Sequence, residues 1–547
     1  MMKKLSILAL ILCLVMVVTL ITACNNDIKK WEKNEIVASD SPLYRDYYHI
    51  FVFSFADSNG DGIGDLKGIE QKLDYIADLG FNGIWLSPIH PSSQSDHKYD
   101  VEDYYGIDPQ YGTLADFQSL VTAAHAKGIS VMLDMVFNHS SNKNPWFKAA
   151  QAAYGNPSSP DYKYVDYYMF GDSANDYKTF EKVRTMPKLN LDSKAVKAEI
   201  DSICKFWLQD YGVDGFRLDA AWHYYANVNQ NVQFFQWLMS TAQKYNPDVY
   251  MVGEIWQHEN TVYKHYADNS VQSFFDFELS GTSGYNKLMV YVNDGYANKA
   301  ELFEGVIKYK EQGTAKGIDA LFASNHDTSR VSNSPLSYYS ARESEVTDEA
   351  LARHKMGIGL LYTQTGNVFN YYGNEIGMRN GVRIRTGSDY EDHTYRIAMN
   401  WGNNCQGTRS DGFAYKAYGM TTVYGEYEDF LGGAADQMAD QNSIYNFYRR
   451  VMLLRRQNPE IAQGVSTFVE SGDPDVSVIV RTYNGRSILL VYNLNSTTTK
   501  TVNLSQIIKD NNLQGSLAGF LSSDNGRDVK LRGSKLEMPQ FSIAVIR

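Results

Sequence analysis

The sequence predicts a (β/α)₈ TIM barrel with an inserted subdomain after its third strand and a C-terminal antiparallel β-sandwich. Three observations predict it. From Tyr48 onward, short apolar runs alternate with stretches whose apolar residues recur at helical spacing. Eight such runs occur before the pattern changes near residue 465. Several runs end in charged or polar groups, and a barrel of parallel strands carries its chemistry at those ends.

The runs are Tyr48–Phe55, Asn82–Leu86, Ile129–Phe137, Gly215–Asp219, Val249–Glu254, Ser273–Phe277, Leu321–Asn325 and Asn367–Tyr372. Between the first two, Ile69, Leu73, Ile76 and Ala77 share a helical face, and Gly80 supplies a C-terminal stop. Phe117, Leu120, Val121 and Ala124 form the next such face. Strands alternating with helices imply parallel pairing. Residues 140–195 are instead rich in Tyr, Asn, Ser, Asp and Pro, which predicts an inserted subdomain. The barrel is therefore expected over 43–139 and 196–465. After a helix near Ser443–Gln457 come Val476–Tyr483, Ser487–Leu494, Thr498–Leu504 and Glu537–Ile546, short strands with Gly and Asn turns. They predict a sandwich over 466–547.

The chain opens with Lys3 and Lys4 ahead of an apolar stretch too short for a spanning helix, ending Ile21-Thr22-Ala23-Cys24. That tetrapeptide resembles the bacterial lipobox. The resemblance implies removal of 1–23, lipidation of Cys24 and anchorage at the cell surface. The polar residues 24–42 then read as a tether. Lys plus Arg number 51 and Asp plus Glu 63, a net charge of −12. This acidic balance argues against nucleic acid and against electrostatic binding to anionic lipid, leaving the anchor as the sole expected membrane contact. With Cys13 in the leader and Cys24 lipidated, Cys204 and Cys405 are the remaining thiols, so disulfides are not expected to hold the fold.

Four strand ends carry the chemistry: Asp134-Met135-Val136-Phe137-Asn138-His139; Arg217 with Asp219; Val252-Gly253-Glu254-Ile255-Trp256; and Ser324-Asn325-His326-Asp327. Asp219, Glu254 and Asp327 would converge with His139 and His326. Two carboxyl groups flanking a bond are the equipment of glycoside hydrolysis. Arg217, two positions before Asp219, points to the same side of a strand and would hold Asp219 ionised. Ile255 and Trp256 would wall Glu254 with apolar surface, raising its pKa and keeping it protonated. Separately, Asp57-Ser58-Asn59-Gly60-Asp61-Gly62-Ile63-Gly64-Asp65 sets oxygens at alternate positions, with glycines that let the loop curl. Hard cations take such oxygens, at a spacing near that of an EF-hand loop. The EF-hand's closing Glu is absent, so Asp65 is expected to close the site.

These motifs together resemble the α-amylase family of retaining glycoside hydrolases, over roughly residues 44–547. Asp134–His139, Gly215–His223, Gly253–Trp256 and Phe322–Asp327 are similar to its first four conserved regions, and Met186-Pro187-Lys188-Leu189-Asn190 to its fifth. The resemblance implies that Asp219 is the nucleophile, Glu254 the acid/base and Asp327 the carboxylate gripping the sugar hydroxyls. It implies that Arg217, His139 and His326 hold the same sugar, that Tyr99 stacks on it, and that Trp222 and His223 make outer substrate contacts. It further implies Ca²⁺ on Asp57, Asn59, Asp61, Ile63 and Asp65. A second calcium site, built in many relatives on counterparts of Asn138 and the His223 carbonyl, stays open.

Signals for specificity disagree. Ala220 after the nucleophile is as in members cutting α-1,4 bonds. Met186–Asn190 is of the neopullulanase-like type, and Asp100 matches an acid with which exo-acting α-glucosidases block the chain end. The leading expectation is an α-amylase acting on starch or maltodextrins. The alternatives are a neopullulanase-like enzyme, an oligosaccharide α-glucosidase or a transglycosylase. A glycan-binding lipoprotein on a dead barrel is the reading of another class, and the intact carboxylates argue against it.

Overall fold

The computed structural model describes residues 29–547 except 38–39, 94, 96, 281–287, 289–296, 334–345, 381–393, 403–430 and 524–526. Eight parallel strands form one sheet: β1 (Tyr47–Ile50), β2 (Gly83–Leu86), β3 (Ser130–Met135), β4 (Gly215–Leu218), β5 (Tyr250–Gly253), β6 (Ser273–Phe274), β7 (Ala320–Phe322) and β8 (Asn367–Tyr371). Their order is β6–β5–β4–β3–β2–β1–β8–β7. A parallel bridge from Phe275 to Ala320 brings the two ends of this sheet together, so the barrel nearly closes. Every residue of these strands is buried, which is why they read in sequence as unbroken apolar runs.

Aromatic side chains fill the lumen. Tyr47 stacks on Tyr250 at 5.6 Å and on Phe369 at 4.9 Å, with Trp85, Phe275 and Phe322 in the same cluster. The lumen is a packed core. The polar groups at the C-terminal ends of the strands are thus left to face one cavity above it.

Between β3 and β4 the chain forms a helix, Pro145–Ala153, and short bridges that pair His139 with Lys188, Tyr168 with Leu189 and Thr179 with Pro187. A helix over Lys194–Cys204 leads back to the barrel, and the Cys204 thiol there is buried and free. Past the helix Ile444–Gln457 lie two antiparallel sheets. One holds β9 (Val465–Val469), β10 (Val476–Tyr483), β11 (Arg486–Asn493), β13 (Leu517–Ser522) and β16 (Ser542–Ile546). The other holds β12 (Lys500–Asn503), β14 (Lys530–Arg532) and β15 (Lys535–Met538).

Three expectations need correction. The run Tyr48–Phe55 is a strand only to Ile50, and Val52–Phe55 is one helical turn. Unbroken apolar sequence carries no period to separate the two. The run Glu537–Ile546 is two strands, because Pro539 has no N–H to donate and Phe541 turns the chain at φ 45°. The third correction concerns residues 29–37, expected as part of a tether, which are docked. Trp31 is buried against Phe520, with ring centroids 6.0 Å apart. Gly519 leaves room for it, since a Cβ there would lie 3.0 Å from the Trp31 ring and 2.3 Å from Leu454. Glu32 pairs with Arg450 at 3.1 Å, and Gln457 donates to the Trp31 and Asn34 carbonyls. This strap ties the last barrel helix to the C-terminal sheet. Trp31→Ala is expected to cost about 3–5 kcal/mol, the usual range for emptying a buried Trp site. Calorimetry should show a lowered melting temperature, and an unchanged one would refute the clamp.

Candidate active site

Asp219 and Glu254 leave adjacent strands at one level. Leu218 is registered with Gly253, and the Glu254 N–H donates to the Leu218 carbonyl at 3.0 Å. Arg217 stands beneath both. Its Nη1 lies 2.8 Å from Asp219 Oδ1 and 2.8 Å from Asp134 Oδ1, and its Nη2 lies 2.9 Å from Glu254 Oε2. One guanidinium therefore serves three carboxyl groups, Asp134 and Asp219 buried and Glu254 partly so.

Arg217 meets Asp219 as expected, but it is shared with two further carboxyl groups. Burial pushes the Asp219 carboxyl well above its ordinary value, with Arg217 opposing. Burial likewise raises Glu254, and lifts Asp134 to about 6. One cation is shared among three carboxyl groups, and burial favours the protonated form of each. A proton donor needs that form. The source of the Glu254 shift also differs from expectation. Ile255 is buried, but Trp256 is 48% exposed and stacks on Phe277 at 4.8 Å on the rim. Burial of the carboxyl, not a tryptophan wall, is the cause. Ala220 takes a left-handed conformation, φ 46°, and its N–H donates to Glu254 Oε2 at 2.9 Å. This strained non-glycine residue beside Asp219 turns a peptide dipole onto the neighbouring carboxyl.

Across the cavity, Asp327 Oδ1 accepts from Arg396 Nη2 at 2.7 Å, and its Oδ2 lies 3.1 Å from His326 Nε2. The Tyr99 hydroxyl donates to Asp134 Oδ2 at 2.9 Å and lies 2.6 Å from His326 Nε2. The Tyr99 and His326 rings stack at 5.5 Å. Burial pushes His326 well below the usual imidazole value and His139 down to about 3. His139 is covered by the Phe180 ring at 5.0 Å, and among the described residues its buried Nε2 has no side-chain partner. Trp222 packs against His265 at 5.9 Å, and His223 is half-buried near the rim.

These side chains line a cavity of about 590 Å³. Tyr99, His139, Asp219, Trp222, His223, Glu254 and Asp327 all face it, while Arg217 and His326 support its floor. His97, Phe180, Glu181 and Arg396 also line it, unforeseen in sequence. Asp100 does not. It is buried, and its carboxylate accepts from Ser92 Oγ at 2.6 Å and Ser95 Oγ at 2.5 Å.

The Asp57–Asp65 loop curls through its own side chains. Asp57 accepts from the Asn59, Gly60 and Gly62 N–H groups, Asn59 from Asp61, and Asp61 from Ile63. Asp65 caps the helix Leu66–Gln71 and also accepts from Ser58. Among the described residues no three acidic, His or Cys side chains are gathered closely enough, as placed, to hold a metal ion. The His223 carbonyl, left open as a ligand to a second calcium, accepts instead from the Lys188 ammonium.

Comparison with known proteins places this geometry. A family model described as the α-amylase catalytic domain matches residues 49–464. Alpha-amylase 3 of Dictyoglomus thermophilum is 32% identical over 516 residues, covering 91% of each chain. An oligo-1,6-glucosidase of Parageobacillus thermoglucosidasius is 27% identical, over 82% of this chain and 90% of its own. Among solved structures, Eubacterium rectale Amy13B superposes with a TM-score of 0.81 at 34% identity, over 94% of this chain and 97% of its own.

Proposed function

This chain belongs to the α-amylase family of glycoside hydrolases, and we propose that it cleaves α-1,4-glucosidic bonds in starch or maltodextrins with retention of configuration. The observation that carries the reading is the pair Asp219 and Glu254, bridged by Arg217 on neighbouring strands of one cavity. Neighbouring strands stand about 4.8 Å apart, which suits the roughly 5–5.5 Å between carboxyl groups of retaining enzymes. Asp219 attacks the anomeric carbon while Glu254 gives its proton to the departing oxygen. The bond to the leaving sugar breaks and a glycosyl ester on Asp219 forms. Water then gives its proton to Glu254 and opens the ester from the opposite face. Asp327, His326, His139 and Tyr99 hold the distorting ring.

An oligosaccharide α-glucosidase is the second reading, favoured by oligo-1,6-glucosidases among the relatives. One digest of soluble starch, maltotriose and pullulan separates the two. Rapid shortening of starch into maltodextrins supports the amylase. Glucose from maltotriose with starch untouched supports an α-1,4-acting α-glucosidase, and starch and maltotriose both left intact overturn the amylase reading.

We further propose that the Asp57–Asp65 loop holds calcium. Its donor set of three carboxylates, an amide and a backbone carbonyl within nine residues is all oxygen, which fits a hard cation. Asp57, Asn59, Asp61, Ile63 and Asp65 would hold it, and the ion would brace the loop rather than enter the reaction. An ion that binds only the folded state stabilises it as the logarithm of its concentration. A chelator should therefore lower the melting temperature by several degrees, and Asp61→Ala should remove that sensitivity. An identical melting curve in chelator and in calcium would refute it.

The lipobox-like Ile21–Cys24, which lies outside the described residues, supports a lipid anchor at the cell surface. Among the described residues no helix is long and apolar enough to cross a membrane. Cys24→Ala should leave the protein unprocessed or release it from membranes, and a trimmed, acylated product from this variant would exclude the anchor.

A further inference from the structure

Residues 179–187 form a narrow hairpin whose tip overhangs the cavity. Thr179 pairs with Pro187, the Phe180 N–H donates to the Met186 carbonyl, and the Val183 N–H donates to the Phe180 carbonyl at 2.7 Å. At the tip two consecutive non-glycine residues are left-handed, Glu181 at φ 41° and Lys182 at φ 68°. Such a pair costs roughly 1–3 kcal/mol per residue and persists only where the surroundings hold it. Phe180 does the holding, face to face with His139 at 5.0 Å and edge-on to His223 at 5.1 Å. The strain sets the Glu181 side chain, 61% exposed, on the cavity rim, with Oε1 3.6 Å from His223 Nε2.

Stability does not account for this arrangement. A half-open pair at that distance contributes little, and burial lowers the His223 pKa, which weakens its charge. Position accounts for it better. Tyr99, Asp134, Arg217 and His326 close the cavity floor, where the attacked ring must sit. The turn Ala220–His223 wraps Glu254, with the Ala220 N–H on its carboxyl and the Trp222 N–H on its carbonyl. A sugar that takes the proton of Glu254 therefore departs past His223 and Glu181. We propose that Glu181 determines specificity on this acceptor side. Resting on His223 in the free enzyme, its carboxylate receives a hydroxyl of the departing sugar, or of an incoming sugar that replaces water. In that second case the ester bond from Asp219 to the anomeric carbon breaks, the acceptor oxygen bonds that carbon, and the acceptor proton passes to Glu254.

This inference rests on the reading of Asp219 and Glu254 as nucleophile and acid/base. Its test uses the full-length protein with α-maltosyl fluoride as donor and maltose as added acceptor. Fluoride release counts all turnover, chromatography counts the transfer products, and the difference between the two is hydrolysis. Both fates consume one ester with one base, so a change in stability or in the Glu254 proton cancels from their ratio. In Glu181→Gln and Glu181→Ala the maltose concentration giving equal transfer and hydrolysis should rise about tenfold, the worth of one charge-assisted hydrogen bond. Glu181→Asp should recover part of it. An unchanged ratio in both variants, or no transfer by the wild type at any maltose concentration, overturns the proposal. Absence of fluoride release from the wild type would instead overturn the catalytic reading beneath it.

Discussion

Asp219→Asn is expected to lower kcat by on the order of 10⁴–10⁶-fold, as loss of a nucleophile does elsewhere, while the protein stays folded. The amide keeps the shape of the carboxyl and can still meet Arg217, which lies 2.8 Å away. It removes a negative charge from a cluster of three carboxyl groups that share one guanidinium, so it relieves buried repulsion rather than creating it. A variant that melts no lower than wild type and is inert isolates the chemistry from the fold. The loss should appear equally with starch and with α-maltosyl fluoride, because both need the same ester. Proton NMR of the first product from wild type supplies the complementary result, the α-anomer. A β-anomer, or wild-type turnover in Asp219→Asn, would overturn the assignment of nucleophile.

The barrel was legible because its strands are buried on both faces and so read as short apolar runs. All eight appear within a few residues of where periodicity sets them. Asp219, Glu254 and Asp327 were legible because a carboxylate at the end of such a run has no packing reason to be there. Other features left no local signal. Glu181 and Phe180 sit in a polar stretch without period, and it is a hairpin with two left-handed residues that brings them over the cavity. Arg396 reaches Asp327 from 69 positions further along the chain. Asp134 stood in view as part of a motif, yet its share of the Arg217 guanidinium is purely three-dimensional, and it alters the proton balance of the site. Asp100 shows the converse. A motif match suggested a chain-end block, whereas two serine hydroxyls draw its carboxylate below the surface. The docked strap was hidden because Trp31 is one apolar residue among polar ones, and its groove is built from residues nearly five hundred positions away, such as Gly519 and Phe520.

Glu254→Gln is expected to lower turnover of starch by about 10⁴-fold or more, at or above the top of the usual 10²–10⁴-fold worth of a general acid alone because the same residue serves again as base. With α-maltosyl fluoride the outcome divides. Fluoride leaves without a proton, so the first step survives. Water then lacks its base, and the ester on Asp219 should accumulate as one equivalent of fluoride is released in a burst. Intact-mass measurement should find the enzyme heavier by one maltosyl unit, and digestion should place it on Asp219. The pH dependence carries a second signature. In wild type, kcat/KM falls as pH drops and Asp219 takes a proton, and it falls as pH rises and Glu254 loses one. Burial raises both groups, so the acid limb should lie above the ordinary aspartate value of about 3.9. In Glu254→Gln the fluoride burst rate should keep that acid limb and lose the alkaline one, because the titrating acid is gone. A surviving alkaline limb would assign the proton to another member of the Arg217 cluster, Asp134 being the next candidate since burial holds it near 6. A burst without a covalent adduct would show that the ester forms elsewhere or not at all, and the retaining mechanism would fall with it.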